Sequence, residues 1–247
     1  MLRSRKILVL GGTTEARTLA DALGGRGHAV ITSLAGRTAE PRRPQGEVRI
    51  GGFGGAAGLA DYLRSADIEA VIDATHPYAA AISAHAIEAG AATNLPLLRV
   101  GRAAWQPQKG DRWIVADSLA ACAKVAPDLG RRAFLTIGVK ELASFRDVDN
   151  VWFLVRLVDR PPQPIPLAHH ELILARGPFE AADERALMQR HRIDLVIAKN
   201  SGGDSTYGKI AAARDLGLPV LMLRRPLLPP APTAANIAEA IAWVERL

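Results

Sequence analysis

Cysteine is almost missing from this chain. Cys122 is the only one in 247 residues, so no disulfide can form within the chain and no cysteine cluster can hold a metal. Its neighbours Ala120, Ala121 and Ala123 read as a packed helix, not as the setting of a catalytic thiol. Histidine is sparse, with six in all, and none has H-E-x-x-H spacing. His169 and His170 are adjacent and diverge in extended backbone. A metal site is not expected. No apolar run reaches the length of a membrane span. The opening MLRSRK looks like the basic start of a signal peptide, but only four apolar residues follow before Gly11, too few for an apolar signal core. The expectation is a cytoplasmic protein. No pair of carboxylates and no Ser-His-Asp order stands out, which disfavours hydrolysis.

Charge and hydropathy narrow the class further. The net charge of +6 suits an acidic ligand. Arg42 and Arg43, a basic pair, lie between Pro41 and Pro44 with no aromatic interleaved, so nucleic acid is not the expected partner. Hydrophobic residues make up 49% and charged residues 23%, which provides for a real core and excludes a disordered chain. The length suits one large or two modest domains.

The stretch ILVLGGTTEAR, residues 7–17, organises the reading. Residues 7–10 have the length and composition of a buried parallel strand. Gly11 and Gly12 end it. Thr13 or Thr14 then caps a helix whose apolar positions Ala16, Leu19, Ala20 and Leu23 recur at helical spacing. A strand, a glycine turn and a helix start form an anion seat, because unsatisfied N–H groups and the helix dipole face the strand end. Counted from Gly11, the dinucleotide fingerprint G-x-G-x-x-G/A meets Thr13 at its third place and Ala16 at its sixth. Ala16 fits and Thr13 does not, so a diphosphate sits differently from the standard pose. A second strand is expected at 28–32. An NAD enzyme carries Asp or Glu near the end of that strand, whereas a 2′-phosphate needs hydroxyls and an arginine. Ser33, Gly36, Arg37 and Thr38 stand there without an acid, which favours NADP.

Short apolar runs alternate with helical patterns along the rest of the chain. Strands are expected at 48–50, 70–72 and 95–98, then at 113–115, 133–137, 151–158, 172–175, 195–198 and 220–223. Helices are expected around Leu59 and Leu63, then at 79–92, 118–125, from Lys140, 178–189, 206–216 and 236–244. This alternation predicts two Rossmann-like α/β domains with mainly parallel sheets, helices on both faces and a ligand cleft between them. The polar stretch 102–112 reads as the linker, giving domains at 1–101 and 102–247. The halves rhyme. Each has a Val-Ile strand, a polar loop, a small-residue helix and a Leu-Pro strand, with DATHPY in one loop and KNSGGDSTYGK in the other.

Those loops hold the candidate chemistry, since ligands of such sheets bind beyond the carboxyl ends of the strands. His76 can donate a proton or hold a carboxylate. Asp73 caps the loop or orients Thr75. Pro77 suits a first helical turn, and Tyr78 can stack on a flat ligand. In the second loop, Lys199 supplies positive charge, and backbone N–H groups around Gly202 and Gly203 can form an anion nest beside Asn200, Ser201 and Thr206. Lys140 follows Gly138 at another strand end. Lys209 is expected on the surface.

Taken together, GGTTEAR, SLAGRT, DATHPYA, GVKEL and KNSGGDSTYGKIAAARDLGLPVLMLRRP run in the order seen in precorrin-6A reductases of cobalamin biosynthesis, and the chain resembles that family over nearly its whole length. The resemblance implies hydride transfer from NADPH to a ring carbon of precorrin-6A, giving precorrin-6B. It implies that Gly11, Gly12, Thr13, Thr14, Glu15 and Ala16, with Ser33, Gly36, Arg37 and Thr38, hold NADP(H). Asp73, Thr75, His76, Pro77 and Tyr78 would line the nicotinamide region. Lys140, Lys199, Asn200, Ser201, Gly202, Gly203 and Thr206 would face the tetrapyrrole. From their residue types, His76 and Lys199 are the candidate catalytic residues, either of which helps to place carboxylates or supply a proton. A monomer is assumed, and neither membrane nor nucleic acid is a partner. The reductase of the cobalt-bearing substrate has a similar pattern, so the metal state stays open. Two other readings use the same turn: an NADP-sensing module without catalysis, and a nucleotide-sugar or phosphate-binding enzyme.

Overall fold

The computed structural model describes residues 3–36 and 44–247. The chain divides into two compact units, one of Met1–Ala103 with Pro226–Leu247, the other of Ala104–Arg225.

The first unit begins with β1 (Lys6–Leu10), α1 (Thr14–Gly24), β2 (Ala29–Leu34), β3 (Glu47–Ile50), α2 (Ala56–Ser65), β4 (Ala70–Asp73), α3 (Ala80–Thr93) and β5 (Leu97–Val100). Side chains alternate across a strand, so β1 feeds two cores. Ile7 and Val9 pack with Leu19 and Leu23 of α1, while Leu8 and Leu10 pack with Leu59 and Leu63 of α2 and Ala86 of α3. A strand buried on both faces has no polar side, which is why it reads as an unbroken apolar run.

The second unit runs β6 (Arg112–Ala116), α4 (Leu119–Leu129), β7 (Arg132–Thr136), a 3₁₀ helix (Val139–Phe145), β8 (Trp152–Leu157), β9 (His170–Leu174), α5 (Ala181–Arg190), β10 (Leu195–Lys199), α6 (Gly208–Asp215) and β11 (Pro219–Leu223). Phe134, Leu154, Val196 and Met222 pack on one face with Met188 of α5 and Ile210 of α6. Phe145 of the 3₁₀ helix meets Phe153 edge-on, 5.7 Å between ring centres. Cys122 lies fully buried in α4, and burial pushes its thiol up to about 11, the setting of an inert cysteine.

The chain then returns to the first unit with β12 (Thr233–Ala234) and α7 (Ile237–Glu245). β12 pairs with β5 in parallel, with Arg99 N–H on Pro232 O at 2.8 Å and Gly101 N–H on Ala234 O at 2.9 Å. Ile237, Ile241 and Trp243 of α7 pack on the α1 face. Residues 226–247 thus complete the first unit, and the expected second domain of 102–247 is corrected to 104–225. The reason is β12, a two-residue strand behind four prolines, too short to show in the pattern. The expected linker is corrected as well. Trp105 is 9% exposed and packs in the second core.

The first sheet has the order β12-β5-β4-β1-β2-β3, and the second β6-β11-β10-β7-β8-β9, all pairs parallel. Both are doubly wound sheets whose strand order reverses beside one strand, β1 in the first and β7 in the second. In both sheets the sixth place is filled from outside the run of the other five. β4 and β10 hold matching places, as do β5 and β11, so the rhyme between the halves is structural.

Candidate functional site

At the first reversal the glycine turn has three distinct parts. Gly11 donates to Ser33 O at 2.9 Å, and a Cβ there would press on the Thr32 methyl at 2.9 Å. Close packing on β2 therefore dictates the first glycine. Gly12 has φ +109°, and nothing lies within 4 Å of where its Cβ would be. Backbone conformation dictates the second, and it leaves open space above the turn. Thr13 is extended, at φ −120°. Its hydroxyl accepts from Ala16 N–H at 3.1 Å, capping α1, and donates to Ala74 O at 2.9 Å. The residue that departs from the fingerprint thus ties the ends of β1 and β4 together. Thr14 is exposed, and Glu15, the one acid in the first turn, pairs with Arg102 at 2.8 Å. Ala16 is buried, as its place in the pattern requires.

Ser33 lies near the end of β2, 6% exposed. Gly36 takes φ +68°. Arg37 and Thr38 lie outside the described residues. A residue that the sequence reading missed comes from the neighbouring strand: Arg49 of β3, in register with Ser33, brings Nη1 to 3.4 Å from the Ser33 hydroxyl. Register between β2 and β3 is set by sheet pairing, and no local signal in the sequence announces it.

Beyond β4, Asp73 is 2% exposed. Its Oδ1 accepts from the Thr75 N–H at 3.1 Å and the Thr75 hydroxyl at 2.7 Å, and Arg99 Nε lies 3.6 Å from Oδ2. Asp73 therefore orients Thr75 in an Asx turn, as expected. Pro77 follows in a β-turn closed by Ala79 N–H on His76 O at 2.7 Å, ahead of α3 instead of inside its first turn. His76 Nδ1 accepts from Tyr78 N–H at 3.3 Å, which leaves Nε2 as the proton-bearing nitrogen of the neutral ring. The two rings stand 5.7 Å apart.

At the second reversal, Lys199 of β10 meets Glu141 of the 3₁₀ helix at 2.5 Å. A Cβ on Gly138 would collide with the Glu141 carboxylate, so the glycine makes room for that acid. Lys140 beside it is exposed. The loop after β10 is held by its carbonyls. Trp105 Nε1 donates to Gly203 O at 2.8 Å, Phe179 N–H to Ser205 O at 3.1 Å, Lys209 Nζ to Thr206 O at 2.7 Å, and Arg225 Nε to Asn200 O at 2.7 Å. Asn200 gives both ends of its side-chain amide to the Trp105 backbone, Oδ1 accepting at 2.8 Å and Nδ2 donating at 3.0 Å. Gly202 and Gly203 follow with φ +69° and +71°, a pair that only glycine adopts easily. Ser201 and Thr206 are half-buried on this braced loop.

Lys209 corrects an expectation, being 4% exposed. Burial, with Arg156 nearby, pulls its ammonium down to about 7, against the attraction of Glu184. Arg156 and Glu184 are themselves buried and pair in a fork at 2.5 and 2.8 Å. Among the described residues no cluster of three or more His, Cys, Asp or Glu could hold a metal, and no helix is long and apolar enough to cross a membrane.

The chain matches known proteins along its length. Residues 6–245 match the family model "Precorrin-6x reductase CbiJ/CobK". A precorrin-6A reductase of Rhodococcus erythropolis is 52% identical over 98% of both chains. A cobalt-precorrin-6A reductase of Priestia megaterium is 30% identical, over 89% of this chain and 90% of that one. A solved structure titled "CobK precorrin-6A reductase" superposes with a TM-score of 0.93 at 42% identity, covering 98% of this chain and 96% of that one. With two doubly wound sheets, a glycine turn at one reversal and a lysine loop at the other, the chain belongs to the precorrin-6x reductase family.

Proposed function

We propose that this chain is an NADPH-dependent precorrin-6A reductase of cobalamin biosynthesis, moving a hydride to a ring carbon of precorrin-6A to give precorrin-6B. The observation that carries this reading is the 52% identity over the full length of a precorrin-6A reductase. The metal-free substrate is preferred because relatives named for it are 43–52% identical, whereas those named for the cobalt form are 28–30% identical.

The residues suit the cofactor. Gly12 leaves open space over the first turn of α1, where N–H groups can take a diphosphate. Residues 33–36 include no acid to claim a ribose 2′-hydroxyl. When bound, the reduced nicotinamide supplies the hydride. The chain's own part is to bind, orient and deliver a proton. Gly11–Ala16 of the first unit hold the diphosphate, Asp73 orients Thr75 in the turn that leads to His76, and His76 in its imidazolium form is the proposed proton source for the carbon next to the one reduced, returning to the neutral ring as it gives up that proton.

The second unit suits the substrate. Val115, Val139, Val158 and Leu174 are exposed at the carboxyl ends of β6, β7, β8 and β9. Lys199 stands at the end of β10 and Lys140 beyond β7. Apolar contacts fringed by cations complement a flat macrocycle rimmed with carboxylates. NADPH is a cytoplasmic reductant, and a cytoplasmic monomer is the proposed form.

Anaerobic mixing with NADPH and precorrin-6A, followed by loss of nicotinamide absorbance, tests the reading. Turnover is expected with precorrin-6A and not with its cobalt form. A sensor module would oxidise no NADPH with either. His76→Ala is expected to lower kcat by about 10²-fold or more, and Lys199→Ala to raise the substrate KM. Wild-type rate and affinity in both variants would remove the two residues from the mechanism.

A further inference from the structure

Among the described residues, Arg49 is a cation built into place without a counter-ion. Its Nη1 and Nη2 donate to the carbonyls of Gly51 and Gly52, each at 2.7 Å, beyond the end of β3. Its guanidinium lies 3.8 Å over the centre of the Phe53 ring and 5.1 Å from that of Tyr62, and those two rings pack on each other at 5.3 Å. Two carbonyls and an aromatic shelf fix the fork, so little side-chain freedom remains to be lost on binding. No carboxylate among the described residues pairs with it. Arg99 and Arg102, beyond β4 and β5 of the same unit, lie beside the carboxylates of Asp73 and Glu15 instead.

We propose that Arg49 is the residue that reads the cofactor's 2′-phosphate. This rests on the NADPH reading and goes beyond it, because the motif around the end of β2 does not include Arg49. The position fits. In a doubly wound sheet the adenosine ribose is read at the end of the strand next to β1, which here is β2. Arg49 reaches that end from β3, in register with Ser33 and 3.4 Å from its hydroxyl. A planar fork suits a phosphate dianion, to which it donates charge-assisted hydrogen bonds.

Calorimetry with adenosine 2′,5′-bisphosphate and with 5′-AMP tests this without turnover. The wild type is expected to prefer the bisphosphate, and Arg49→Met to lose that preference by tenfold to about a hundredfold while 5′-AMP binding stays unchanged. Arg49→Lys keeps the charge and loses the fork, so an intermediate preference is expected, and it serves should the methionine variant fail to fold. Full preference retained in either variant overturns the proposal and leaves the NADPH reading standing. A wild type with no preference overturns both.

Discussion

The two sheets reverse strand order in the same way, yet they treat an anion differently at that point. In the first, the strand end after β1 offers bare glycine and the unsatisfied N–H groups of α1, and the nearby acid, Glu15, is drawn aside to Arg102. In the second, the corresponding place after β7 is occupied by the chain's own acid: Gly138 admits the Glu141 carboxylate, which meets Lys199 at 2.5 Å. On the proposed reading, one frame leaves a seat for a diphosphate and the other fills it internally. That difference would let two similar sheets take unlike ligands without any change of topology.

The interiors differ as well, and the largest expected effect comes from that contrast. The second unit buries Arg156, Glu184 and Lys209, whereas Asp73 is the one acid or base besides His28 that the first unit buries among the described residues. Lys209 has its ammonium pKa lowered from 10.5 to about 7 in the fold. Between pH 7 and 10.5 the unfolded chain therefore binds the extra proton. Stability from this group rises with pH across that window and is flat below it. Urea unfolding is expected to show wild-type stability gaining a few kcal/mol on Lys209→Met between pH 7 and pH 10. A constant difference would mean the lysine titrates normally and the interiors are alike.

A pair of alanine substitutions tests the open and the filled seats against each other. Gly12→Ala forces a Cβ onto φ +109°, a strain of about 1–3 kcal/mol, and is expected to weaken NADPH binding roughly tenfold to a hundredfold. Gly138→Ala displaces Glu141 from Lys199 and should leave NADPH affinity unchanged while lowering the KM for the tetrapyrrole. Titration of nicotinamide fluorescence measures the first and steady-state kinetics the second. Equal loss of cofactor affinity in both would erase the contrast.

The smallest effect refines the role of the internal acid. Glu141→Gln keeps the shape and removes the charge opposite Lys199. The pair is partly exposed, at 13% and 26%, so thermal unfolding is expected to move by less than about 1 kcal/mol in stability. The substrate KM should fall if Glu141 competes with substrate carboxylates for Lys199. An unchanged KM with a large loss of stability would make the pair purely structural.

Much of the first site could be read directly because it is local. Residues 7–24 contain a strand, a turn and a cap within one stretch, and residue type and place narrow the cap to Thr13 or Thr14, of which Thr13 takes the role. What escaped the reading depends on pairings across long separations. Arg49 acts at the end of β2 only because β3 lies in register beside it. Trp105 looked like linker because the residues around it are polar, and its bonds to Asn200 and Gly203 span 95 and 98 positions. Lys209 sits in α6, where Gly208, Ile210, Ala212 and Ala213 are also buried. A helix covered on most sides shows no polar face to mark which lysine points inward.

The placement of β12 has a consequence for how the molecule is made. Everything from Ala104 to Arg225 is synthesised before Thr233 and Ala234 can reach the outer side of β5. While the ribosome works through that interval, the β5 rim presents unsatisfied amides and carbonyls, and the α1 side lacks the cover of Trp243. The portion translated earliest is therefore the last to be sealed, and a chain interrupted before Thr233 would leave a sticky, unfinished margin for neighbouring strands to join.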